Sequence, residues 1–301
     1  MTTDAVLYEL RRDAAWITLN QPERRNALGA ELVDGLGTHL ATAIGDPRVR
    51  IVVLTGAGPA FCAGADLKSG GLADADAAAE HPFVTVLKTI WDSPKPVIGR
   101  INGHAFGGGV GLTAACDLTI AAEGATFAFS EVRVGVIPAI ISVLCVPKLG
   151  IQNAMWLFLT GERFSAARAV EVGLVHRAVP AAELDAAVEE VIGLVRRGGP
   201  NAVREAKQLV RRIPRLSLDD GFRWTAAKSG ELFRSEEAAE GMQAFVQKRK
   251  PRWWSEAAPC PPRTCSGSRT AAASTGIGSP PRARWSRAAR STSSPAITWP
   301  S

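Results

Sequence analysis

The chain is 301 residues long, 46% hydrophobic and 21% charged, with a formal net charge of +6. Such a length fits one large domain or two ordinary ones, and the apolar fraction is enough to bury a sizeable core. A collagen, a chain disordered throughout and a disulfide-stapled mini-protein are all excluded by this composition.

A sequence pI ≈ 9.3 invites a nucleic-acid or membrane-surface partner, so the position of the charge matters. Residues 255–301 hold six Arg, no Lys and one acid, Glu256, and carry +5. Residues 1–254 hold 29 basic and 28 acidic side chains, a balance of +1. The basic excess therefore belongs to the last 47 residues, which also contain seven Pro and ten Ser and no sustained apolar period. Without a core to offset ordering entropy, that stretch is expected to be disordered, with a functional basic arm as the alternative. Arg, Ala, Pro and Ser without Lys is also what GC-rich DNA yields when read out of frame, which points to a frameshift or readthrough near Trp254.

In chain order, Ala14-Ala15-Trp16-Ile17-Thr18-Leu19 reads as a strand closed by Asn20-Gln21-Pro22. Residues 27–44 have helical spacing, with Leu28, Leu32, Leu36 and Leu40 on one stripe. The apolar runs 50–55, 96–101 and 117–121 read as buried parallel strands. Strands alternating with helices indicate a layered α/β fold. From Gln152 onward the pattern turns helical, at 154–159, 166–172, 181–197, 200–213, 218–233 and 235–248, with Gly161, Gly173 and Gly198-Gly199-Pro200 as punctuation. An α/β core over 1–195, a helical C-terminal region over 196–254 and the tail 255–301 are the expected divisions.

Cys62, Cys116 and Cys145 lie far apart among apolar or small residues, and Cys260 and Cys265 fall in the tail. No CxxC or Cys/His cluster suggests a metal site, so buried thiols in a reducing compartment are expected. The start, Met1-Thr2-Thr3-Asp4, has neither the basic nor the apolar region of a signal peptide. No run approaches about 18 uninterrupted apolar residues. The chain thus reads as cytoplasmic, with no membrane partner.

Three motifs carry chemistry. Phe61-Cys62-Ala63-Gly64-Ala65-Asp66-Leu67-Lys68 follows a strand with small residues that let backbone approach a ligand. Asn102-Gly103-His104-Ala105-Phe106-Gly107-Gly108-Gly109-Val110-Gly111-Leu112 follows a strand and opens a helix, whose first N–H groups are unpaired. Taken alone, its triple glycine could equally mark tight helix–strand packing, and no Gly-Lys-Ser/Thr follows to make a P-loop. In Phe127-Ala128-Phe129-Ser130-Glu131-Val132-Arg133, Glu131 sits in an apolar stretch as either an outward-facing residue or a tuned acid/base, with Arg133 available as a neutralising partner. His104 lacks a Ser or Asp partner by spacing and reads as a structural histidine. The Trp residues show no interleaving with basic residues, so no nucleic-acid partner is expected.

The order and spacing of these motifs resemble the crotonase, or enoyl-CoA hydratase/isomerase, superfamily. Further matching segments are Gln21-Pro22-Glu23-Arg24-Arg25-Asn26-Ala27-Leu28, Leu159-Thr160-Gly161-Glu162-Arg163-Phe164 and Glu240-Gly241-Met242-Gln243-Ala244-Phe245. The resemblance covers about residues 5–254. It implies an α/β, crotonase-like spiral of ββα repeats with a helical C-terminal oligomerisation region, assembled as a homotrimer or a dimer of trimers. It also implies an acyl-CoA thioester substrate, with coenzyme A present only as part of that substrate and no separate cofactor. By position, the N–H groups of Ala65 and Gly108 hold the thioester oxygen as it becomes an enolate, and Glu131 is the acid/base.

Coenzyme A would be held by Arg24, Arg25, Ala27, Ala63, Asp66, Leu67 and Lys68, with Phe245 and Lys248 serving a neighbouring subunit's site. Dual-carboxylate hydratases of this family carry a second acid where this chain has Gly111. The branched Ala139-Ile140-Ile141-Ser142 segment also stands where many members are glycine-rich. The Gly107-Gly108-Gly109-Val110-Gly111-Leu112 form with Ser130-Glu131-Val132-Arg133 resembles hydratases of branched or carboxylated enoyl-CoAs of the methylglutaconyl-CoA type, and the Ile residues would narrow or reshape the acyl pocket. Isomerisation or other enolate chemistry is one alternative, and a non-catalytic CoA-ester-binding protein is another.

Overall fold

The computed structural model describes residues 4–66 and 81–254. Leu67 and Lys68, expected at the coenzyme A site, lie outside the described residues, as does the whole 255–301 stretch with Cys260 and Cys265. All described residues belong to one compact unit, Met1–Ala257.

The chain opens with an antiparallel hairpin of β1 (Val6–Arg11) and β2 (Ala14–Leu19), followed by helix α1 (Ala30–Gly45). Three ββα units come next. They are β3 (Ile51–Gly56), β4 (Ala60–Cys62) and α2 (Pro82–Asp92); β5 (Val97–Ile101), β6 (His104–Phe106) and α3 (Gly108–Ala115); and β7 (Leu118–Ala122), β8 (Thr126–Ala128) and α4 (Ala139–Thr160). The first strand of each unit enters a six-stranded sheet and the second a four-stranded sheet. Repeating that step winds the chain into a spiral, with α1 packed on the large sheet and α3 on the small one.

After α4 come β9 (Arg163–Ser165), α5 (Ala166–Glu171), β10 (Arg177–Val179), α6 (Leu184–Arg197), α7 (Pro200–Arg212), α8 (Leu218–Phe233) and α9 (Glu236–Val246). The large sheet has the order β1-β2-β3-β5-β7-β10 and the small one β4-β6-β8-β9. Strands β2, β3, β5, β7 and β10 run parallel; the nearly continuous burial of β2, β3, β5 and β7 matches the apolar runs in the sequence, while the short β10 is only half-buried.

Several expected boundaries move, for physical reasons. The first helix starts at Ala30 rather than 27, because Leu28 N–H donates to Gly64 O at 2.7 Å and holds that segment extended. The helix expected at 154–159 is the end of α4, which begins at Ala139. Strands β9 and β10 follow Gln152, so the α/β body continues past the expected change of character, with β10 completing the large sheet beside β7. Three-residue strands such as β6, β8 and β9 are too short to show a period in sequence.

By length and hydropathy α4 meets the requirement for a membrane span, which the sequence reading did not anticipate. Pro147 and Gly150, whose φ is 72°, break it into two stretches. One face of it, with Ile141, Leu144, Cys145, Leu149, Ala154 and Leu157, is buried in the body, while Val143, Ile151, Met155, Trp156 and Leu159 stand exposed.

Candidate active site

Strands β4, β6 and β8 are parallel neighbours in the small sheet. Their C-terminal ends therefore deliver three segments side by side. β4 leads into residues 63–66, β6 into Gly107 and α3, and β8 into the short turn Ser130–Val134 that carries Glu131. Three segments distant in sequence become one site because the spiral brings successive strands into register.

Ala65 is bridged to Leu28. Leu28 bonds both flanking residues, its N–H to Gly64 O at 2.7 Å and its O to Asp66 N–H at 3.3 Å. Alternation along the extended chain then turns the N–H of Ala65 to the opposite side, where no acceptor among the described residues meets it. Gly108 is the first residue of α3, and its N–H is one of the orphan donors of a helix start. The two segments touch closely. Gly64 has φ 88°, and a Cβ there would sit 2.7 Å from Phe106 O and 3.4 Å from Gly108 N. A side chain is excluded at Gly109 as well, where a Cβ would meet Cys62 O at 2.2 Å, and at Gly108 a Cβ would press on the buried Leu28 Cδ1 at 2.4 Å. The floor of the site is main chain by steric necessity.

Glu131 faces this floor. A Cβ on Gly107, whose φ is 49°, would lie 3.1 Å from Glu131 Oε1. Oε2 is buried with no hydrogen-bond partner. Burial raises the carboxyl's pKa above its ordinary value, with the turn's backbone hydrogen bond opposing in part. Arg133, considered above as a neutralising partner, is not one: its side chain is exposed and reaches Thr160 O at 3.5 Å. Glu131 is therefore a desolvated acid rather than half of an ion pair.

Gly111 explains the missing second acid. A Cβ there would meet Ile141 Cγ2 at 2.2 Å, so α4 occupies the volume any side chain would need. Burial pushes the thiols of Cys62, Cys116 and Cys145 up to about 12, which leaves no ready thiolate nearby. His104 is exposed, accepts from Thr126 N–H at 3.3 Å through Nδ1 and lies parallel to Phe106, a structural placement as expected.

Of the residues expected to hold coenzyme A, Arg24, Arg25, Ala27, Ala63 and Asp66 gather along one edge. Ala63 N–H donates to Arg25 O at 3.0 Å, Ala27 N–H to Arg24 O at 3.2 Å, and Arg24 pairs with the buried Asp66. Phe245 and Lys248 stand apart at the end of α9, fully exposed, with no described contact to this edge.

One residue the sequence reading passed over organises that edge. Asn26 is fully buried with φ 55°, its Nδ2 donating to the carbonyls of Ala57, Ala60 and Phe61 and its Oδ1 accepting from Gln21 N–H. Its signal in sequence is only that Asn tolerates the left-handed region better than most residues.

The enoyl-CoA hydratase/isomerase family model matches residues 10–256. The chain belongs to this family. Over 247 residues it is 37% identical to a protein of Thermus thermophilus described as an enoyl-CoA hydratase, covering 79% of this chain and 96% of that one. It is 36% identical to the carnitinyl-CoA dehydratase of Salmonella typhi over 79% of this chain and 93% of the relative. Solved structures agree. An enoyl-CoA hydratase from Mycobacterium smegmatis superposes with a TM-score of 0.78 at 32% identity, covering 83% of this chain and 99% of the other. An enoyl-CoA hydratase/isomerase (crotonase) from Legionella pneumophila gives 0.77 at 35%, covering 84% and 100%. The crotonase fold expected from the motifs is the fold observed.

Proposed function

We propose that this crotonase adds water to, or removes it from, an enoyl-CoA thioester, with Glu131 as the one acid/base the protein supplies. The observation that carries the reading is the Glu131 carboxyl, buried and partnerless at Oε2, set against Gly107 beside the free N–H groups of Ala65 and Gly108. Those two donors would hold the thioester oxygen as the α-carbon gains carbanion character. Fixed dipoles in a dry site supply on the order of 3 kcal/mol each toward such a charge. The start of α3 adds its dipole at Gly108. Relatives described as an enoyl-CoA hydratase and a carnitinyl-CoA dehydratase support water chemistry.

Residues Arg24, Arg25, Ala27, Ala63 and Asp66 would line the coenzyme A entry, largely through backbone groups. Ile141 in the space beside Gly111 favours an acyl group that is branched, or one whose own carboxylate stands in for the absent second acid. The same packing favours a second reading, double-bond isomerisation, because moving a proton needs one base whereas hydration also needs a positioned water. The exposed apolar side chains of α8 and α9 support a homotrimer or a dimer of trimers.

Turnover of Glu131→Gln on crotonyl-CoA and methylglutaconyl-CoA, alongside calorimetric binding of the same esters, tests the assignment. The expected outcome is turnover lost with binding retained. Full activity in the variant overturns the role of Glu131, and wild-type binding without turnover of any enoyl-CoA favours a non-catalytic CoA-ester-binding protein.

A further inference from the structure

Away from Ala65, Gly108 and Glu131, a cavity of about 1170 Å³ opens between α2, the first half of α4 and α7. Its walls are apolar, with Leu87, Trp91 and Leu144 among them, while its charged lining is lopsided: five cations against two carboxylates, Asp92 and Asp117. The imbalance is sharpest at the floor. Asp117 accepts from Lys207 at 2.8 Å and from Arg211 at 2.5 Å, and their side chains are only 15%, 6% and 11% exposed. Lys148 also reaches this floor, donating to Cys116 O at 2.9 Å. Three cations thus gather around Asp117, with Asp92 a further carboxylate acting on Arg211, in a partly dry space where buried charges are ordinarily paired.

The donors differ in what they have left to give. Lys207 spends its N–H groups on Asp117, Ile90 O and Lys95 O. Arg211 gives one nitrogen to Asp117 and lies 4.0 Å over the Trp91 ring, while its Nη1 is buried with no partner. Lys148 has one acceptor for three donors. Arg211 and Lys148 thus both line a cavity whose walls are mostly apolar, and each keeps donor capacity that no described acceptor takes up.

We propose that this cavity is a binding site for an amphipathic carboxylate, with the carboxylate held by Arg211 and Lys148 and the hydrocarbon body lying between α2 and α4. A carboxylate there meets the open donors and offsets the uncompensated charge. The volume exceeds that of a medium-length chain, and the apolar walls give the body a surface to cover. The site is separate from the acid/base chemistry and stands whether or not Glu131 has the role proposed above.

Octanoate and 1-octanol, of the same length and differing in the anionic head, test it by titration calorimetry on the full chain. Octanoate is expected to bind at least ten-fold more tightly than octanol. Arg211→Met should remove that difference while leaving octanol binding alone, and Asp117 keeps Lys207 in that variant. Val210→Glu, at a lining residue 69% exposed and outside the buried cluster, should weaken octanoate without disturbing the fold. The proposal is overturned if octanoate binds no better than octanol or neither binds. It is equally overturned if folded Arg211→Met, or folded Val210→Glu, retains wild-type affinity for octanoate.

Discussion

The body of this crotonase and its last two helices use apolar residues in opposite ways. Strands β2, β3 and β5 bury nearly every side chain, and α1 packs Leu32, Leu36 and Leu40 fully inside. In α8 no residue is buried and in α9 only Ala244 is, while Leu218, Phe222, Phe233, Phe245 and Val246 stand exposed. Both helices are properly capped, by Ser217 and Ser235, whose hydroxyls accept from Asp220 and Ala238 N–H groups. The body is stabilised by its own core, whereas α8 and α9 are locally well-formed helices whose apolar faces have no counterpart among the described residues. An apolar period alone does not say whether its partner lies in the same chain.

The sharpest way to break that contrast is at the centre of the body. Glu131→Gln should cost about 10²–10⁴-fold in turnover, the range for a lost acid/base, with the fold intact. A variant that unfolds instead would make Glu131 a structural element of the body. Next in size is Asp117→Ala, which strands Lys207 and Arg211 without their carboxylate. Removing one member of a buried ion pair costs about 3–5 kcal/mol, readable as a lowered denaturation midpoint. A loss below about 1 kcal/mol would place that cluster with the solvated surface pairs.

A smaller effect tests how dry the centre is. Burial raises the Glu131 pKa, so its neutral form is the one the fold prefers. Stability from this group is fully present below the ordinary carboxylate pKa of 4.5 and is lost as pH climbs through the folded value. Glu131→Gln, which cannot ionise, should therefore gain on the wild type in urea melts between pH 4 and neutrality. An unchanged difference between the two proteins across that range would mean the carboxyl is well solvated. The smallest effect on the body belongs to Phe222→Ser, expected to leave body stability within about 0.5 kcal/mol. Sedimentation of the same variant should show smaller particles. If the body unfolds with it, the contrast between the two regions fails.

Sequence carried the parts of the site that chemistry fixes directly. Glycines at 64 and 109 are legible because close backbone approach admits nothing larger, and Glu131 is legible as an acid in an apolar run. The parts set by tertiary contact were not. Asn26 works through three carbonyls more than 30 residues away. Ile141 matters because it fills the space beside Gly111, a fact of helix packing with no local signature. The first turn of the expected helix at 27–44 was lost to a strand-like contact with the Gly64 segment. The early half of α4 was hidden by Pro147 and Gly150, which disguise a broken helix as a loop.

The main-chain floor has a consequence for how the reaction answers to acidity. Amide N–H groups neither gain nor lose a proton across the range in which proteins stay folded, so the donors of Ala65 and Gly108 are always armed. On the proposed role of Glu131 as the one acid/base, with no second acid at Gly111, the rate would have one switch instead of two. Turnover plotted against pH should climb along a single limb set by Glu131, displaced upward from the ordinary carboxylate range, and then level off rather than form a bell.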